Sequence, residues 1–84
     1  MNIEKSVREL IEKDIEDAGY ILDEVLYVKE DGNYFLRIVI DANKTIEIED
    51  CIIVSKIINP MLDEADLIKE SYILDVCSKE KGCE

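Results

Sequence analysis

The chain has 84 residues, 48% of them hydrophobic, and sets ten basic side chains against twenty-one acidic ones for a net charge of -11, with no histidine. That length fits one small domain with a modest core, because chains of this size bury only about 60% of the surface they expose when unfolded. The charge opposes non-specific grip on nucleic-acid phosphates. No stretch approaches the roughly 20 apolar residues of a membrane span, and the start lacks a basic-then-apolar secretory signal, so a cytoplasmic location is expected.

In chain order, Ile3, Val7, Leu10, Ile11, Ile15 and Ala18 fall at steps of three and four. That spacing gathers them on one face of an amphipathic helix and leaves an acid-rich solvated face opposite. Asn2 suits the N-cap, and Gly19 suits the left-handed residue that commonly ends a helix. The period then changes to two. Tyr20 to Glu30 and Tyr34 to Asp41 read as strands of a hairpin turning at Asp31-Gly32-Asn33. In the second strand Tyr34, Leu36, Ile38 and Ile40 point one way, and Phe35, Arg37, Val39 and Asp41 the other. In the first, alternation breaks between Leu22 and Val25, which predicts a bulge near Asp23 or Glu24 that returns Val25 and Tyr27 to the face of Leu22.

After the polar connection Asp41 to Thr45, residues Cys51, Val54, Ile58, Met61 and Leu62 form a helical stripe over about Ile48 to Leu62. The dense β-branched residues at Ile46 to Ile48 and Cys51 to Val54 also fit a short strand. Pro60 removes a backbone donor, so a kink or an end is expected close to Asn59. Asp63 to Ser71 reads as an acidic loop and Tyr72 to Cys77 as a last strand. The order α-β-β-α-β implies an α+β fold, a two-layer sandwich with a three-stranded sheet and two helices on one face. A crossover through the second helix would make the third strand parallel to the second. In a 2-1-3 order it would lie beside the first.

Catalytic chemistry has little support in these residues. Cys51, Cys77 and Cys83 form no Cys-x-x-Cys, and without histidine the common zinc sets cannot be assembled, so neither metal nor cofactor is expected. Cys51, on the apolar stripe, is expected to be a buried small hydrophobe. Cys77 and Cys83 are near enough to the end to cross-link under oxidising conditions. Asp23-Glu24, Glu49-Asp50 and Asp63-Glu64 sit at helix starts and loops, where carboxylates cap and solvate. There is no nucleophile elbow and no phosphate loop. A KH-like RNA clamp would need a Gly-x-x-Gly loop, which Gly19, Gly32 and Gly82 do not supply.

The wording of the chain adds a resemblance. Gly19-Tyr20, Val25-Leu26-Tyr27-Val28-Lys29, Leu36-Arg37-Ile38, Ile40-Asp41, Asp50-Cys51, Val54-Ser55, Leu62-Asp63-Glu64 and Tyr72-Ile73-Leu74-Asp75-Val76 follow in one order. That ordered set resembles the N-terminal domain of the bacterial ribosome maturation factor RimP. It covers roughly nine-tenths of the chain. In that family the last strand runs into Ser-Ser-Pro-Gly-x-Asp-Arg and a second, small β-barrel domain, whereas Val76 here precedes Cys77-Ser78-Lys79-Glu80-Lys81-Gly82-Cys83-Glu84 and keeps only Ser78. The expected organisation is a domain over 1–77 and a polar tail over 78–84 without the second domain. The resemblance implies a non-catalytic protein-interaction role in small ribosomal subunit maturation, through contact with a basic ribosomal protein.

Charge and exposure nominate Glu47, Glu49, Asp50, Asp63, Glu64 and Asp66 to steer a basic partner, with Phe35 and Arg37 on the open sheet face. That face would also carry Ile21, Leu26, Val28, Val39 and Ile73, a patch suited to docking. The alternative role is a stand-alone module that forms a homodimer through this face, with no ribosomal task.

Overall fold

The computed structural model describes residues 2–80. Helix α1 spans Ile3–Asp17, strands β1 and β2 span Ile21–Glu30 and Asn33–Asp41, helix α2 spans Ile48–Ala65 and strand β3 spans Tyr72–Ser78. This is the expected α-β-β-α-β order, with a three-stranded mixed sheet. The Asn2 side chain accepts the Lys5 N–H at 3.3 Å to start α1. Gly19 at φ +95° turns the chain out of it.

The β1–β2 hairpin closes through Asp31 and Gly32, both at positive φ (52° and 81°). Two such residues give a turn whose twist matches that of the flanking strands. The bulge falls where the broken alternation puts it: Leu22 pairs with Ile40 and Glu24 with Val39, leaving Asp23 as the extra residue. Leu22 and Val25 are consequently both buried, against Leu36, Ile38 and Ile40 of β2.

Helix α2 departs from expectation at its end. It continues through Pro60 to Ala65 rather than ending near Asn59, so Asp63, Glu64 and Ala65 are helical and not loop. Pro60 and Lys56, whose carbonyl loses its partner, are both exposed residues, which keeps the cost of the lost bond low because water rather than protein surrounds that turn. The extended alternative for this segment does not occur. Its buried stripe is Val54, Ile58 and Leu62, while Cys51 is only half-buried.

Strand order is the main correction. β3 pairs in parallel with β2, Ile73 opposite Phe35 and Val76 opposite Ile38, so the sheet runs β1-β2-β3 and β3 does not lie beside β1. The far side of β1 is already occupied by α1 side chains. Glu4 Oε2 accepts the Tyr27 N–H at 2.8 Å, and Arg8 donates to the Asp23 carbonyl at 2.7 Å. The crossover through α2 therefore returns to the open side of β2. Both helices cover one face: Val7, Ile11 and Ile15 of α1 and the α2 stripe share one core with Leu36, Ile38 and Ile40.

Candidate protein-interaction surface

The nominated residues separate into three places. Glu47, Glu49 and Asp50 lie at the start of α2, and Asp63, Glu64 and Asp66 at its other end. At a rise of about 1.5 Å per residue the two groups are roughly 20 Å apart, so they do not form one acidic site. Phe35 and Arg37 lie on the sheet face away from the helices.

Asp50 differs from the expected exposed acid: it is 6% exposed and its carboxylate is occupied. Oδ1 accepts from the Tyr20 hydroxyl at 2.5 Å and from Lys44 Nζ at 3.0 Å, and Oδ2 accepts the Glu47 N–H at 2.8 Å, as in a capping box. The Tyr20 hydrogen bond first, then the Glu47 N–H and Lys44, hold the Asp50 carboxyl down at about 2. In return Asp50 and burial push the Tyr20 hydroxyl up to about 12. This cluster ties the end of α1 to the start of α2, and with three hydrogen bonds and 6% exposure the Asp50 carboxylate serves the fold rather than a partner. Glu47, Glu49, Asp63, Glu64 and Asp66 remain exposed.

Arg37 is a clip across all three strands. Its guanidinium donates to both Glu30 oxygens, at 2.8 and 3.3 Å, lies 3.8 Å from Asp75 Oδ2 through Nε, and sits 5.2 Å from the Phe35 ring centroid. The Arg37 hydrogen bonds lower the Glu30 carboxyl below its ordinary value. With its charge matched by two carboxylates, Arg37 orders the face more than it advertises a cation. Around it Leu26, Val28, Phe35 and Val39 are half-buried, and Ile21 and Ile73 are about half exposed. Among the described residues no helix lies over this face.

A second apolar feature escaped the sequence reading. Ile46, Ile48, Cys51, Ile52 and Val76 line an open groove of about 440 Å³ between the first turns of α2 and β3, with Glu47 and Asp75 as its acidic residues. Ile48 is 77% exposed and Ile52 48%. Both lie off the core stripe, four residues apart, which is the signal in the sequence that could have identified a second helix face.

Among the described residues no group of three or more His, Cys, Asp or Glu could hold a metal ion. No helix among them is long and apolar enough to cross a membrane. Cys83 lies outside the described residues, and with it the oxidative cross-link to Cys77 that the sequence allows.

Fold and surfaces together define a small acidic α+β domain with an uncovered sheet face. The family described as the RimP N-terminal domain matches residues 10–79, from within α1 to just past β3, and the chain belongs to it. The family is that of a ribosome maturation factor, which gives the domain a ribosome-maturation-related setting.

Proposed function

We propose that this chain is a non-catalytic docking domain that acts in the cytoplasm on maturation of the small ribosomal subunit, by transient contact with a basic ribosomal protein. Charge supports this reading most directly: twenty-one acids against ten bases, within a family tied to ribosome maturation. Exposed Glu47, Glu49, Asp63, Glu64 and Asp66 steer a basic partner from both ends of α2. The outer sheet face, ordered by Arg37 and Phe35, supplies apolar contact area. Assistance of this kind requires only that the domain prefer one state of its partner over another.

The test is retention of purified small subunits on the immobilised chain at low and at moderate salt. Retention that falls steeply as salt rises supports steering by charge, because exposed charges are screened within about 8–10 Å under those conditions. Retention at neither salt overturns the proposal. The half-exposed Ile21 and Ile73 on an uncovered face favour one second reading, self-association through the sheet. A hydrodynamic mass of one chain at high concentration removes it.

A further inference from the structure

We propose that the edge of β3 at Leu74 and Val76, which no other strand among the described residues pairs with, is together with the groove under α2 a docking site for an extended basic peptide segment, which adds as a fourth strand. The two edges of the sheet are unlike. On β1 the bulge at Asp23 and the α1 side chains Glu4 and Arg8 take up edge groups, devices that block strand addition. On β3 there is no bulge, proline or lysine between Tyr72 and Val76.

The register says which groups are open. Lys79 N–H donates to the Ile40 carbonyl on the β2 side. Backbone groups of alternate residues point to alternate sides of a strand, so those of Ile73 and Asp75 also face β2, and those of Leu74 and Val76 face the edge. Helix α2 packs over β3 on the covered face of the sheet, and its exposed Ile48 and Ile52 line the same groove as Val76. They overhang the place where the next strand would lie. An added strand would lay apolar side chains against Ile48, Ile52 and Val76 and draw its affinity from main-chain hydrogen bonds.

Charge decides the occupant. Glu47 lines the groove and Glu49 lies one residue from Ile48, while Asp75, level with Arg37 in register, carries its carboxylate on the outer face of the same edge, so a second copy of this chain would bring like charges together across the edge, which is unfavourable. Successive side chains of an added strand point to opposite faces, so a segment alternating valine or isoleucine with lysine or arginine lays its apolar side chains under Ile48 and Ile52 and its cations beside Asp75 on the other face. The site is the sheet's edge rather than the middle of its outer face, and its occupancy does not depend on the ribosomal role.

The probe is an eight-residue peptide of alternating lysine and valine, titrated at low salt into the isotope-labelled full chain and followed by NMR. Shifts should concentrate at Ile48, Ile52, Leu74 and Val76, with slowed exchange of the Leu74 and Val76 amides. Of two versions of the peptide, N-methylated at every lysine or at every valine, one should bind at least tenfold more weakly than its parent, since only one set of amides faces β3. A glutamate–valine peptide should not bind. Ile52→Lys, at an exposed position, should weaken binding at least fivefold while the spectrum stays dispersed. Equal binding by the parent and both methylated peptides overturns the proposal, as do shifts scattered over the acidic surface without Leu74 and Val76. A dimer of the unliganded chain with those two amides protected also overturns it, by giving the edge to a second copy.

Discussion

Adjacent residues of the central strand allow the two faces of the sheet to be weighed against each other. Ile38 is fully buried, flanked in register by Val25 of β1 and Val76 of β3. Ile38→Ala removes three carbon groups at about 0.8 kcal/mol each, or roughly 2.4 kcal/mol of transfer free energy. A void of ~60 Å³ adds about 1.4 kcal/mol at ~24 cal/mol per Å³, since a strand paired on both sides collapses little. The sum is about 4 kcal/mol. A domain of this length is expected to have roughly 4–13 kcal/mol in all, so Ile38→Ala lowers Tm by about 15–30 °C or prevents folding. Val39→Ala, one residue on and facing out, should cost about 1 kcal/mol or less. Urea unfolding followed by circular dichroism measures both. If Val39→Ala proves as costly as Ile38→Ala, the outer face is not the open one, and its role as a docking surface fails with it.

Tyr20→Phe keeps the buried ring and removes the hydroxyl that donates to Asp50. Because the Asp50 carboxyl is held at about 2, below its ordinary 3.8, its stabilisation is complete above about pH 4 and is lost as pH falls through about 2. The urea midpoint of Tyr20→Phe should therefore lie below that of the native chain at pH 7, with the gap closing between pH 4 and 2; a gap that widens on acidification contradicts the assignment. Pro60→Ala should raise stability by about 1–3 kcal/mol, by restoring a donor inside α2 at a solvent-facing position, and thermal melts register it. The double variant Glu4→Ala, Arg8→Ala uncovers the β1 edge, so its sedimentation coefficient should rise with concentration; behaviour identical to the native chain would mean that the bulge alone protects that edge.

The local pattern of the sequence carried a long way. Steps of three and four placed α1 to within a residue, Asp31-Gly32 placed the turn, and the gap between Leu22 and Val25 placed the bulge. Each is set by neighbours within a few positions. Of the two outcomes expected at Pro60, a kink or an end, the end does not occur, because the cost of proline depends on whether the orphaned carbonyl can reach water, which the helix's orientation decides. Ile48 and Ile52 were visible as letters but merged into the density of β-branched residues. Among the nominated acids, composition could not distinguish Asp50 from Glu49, since what separates them is a hydroxyl thirty residues away.

Periodicity and turn chemistry by themselves determined α1, the hairpin and its bulge, which side chains of each strand share a face, and the acidic character of the surface. These follow from backbone geometry and charge count, whatever the elements later touch. Tertiary structure alone decided that β3 joins β2, that Asp50 is enclosed, and that the β1 edge is guarded by α1 side chains. A strand's hydrogen-bonding edges look the same from within its own sequence, so their fate rests with the side chains that distant segments bring to them.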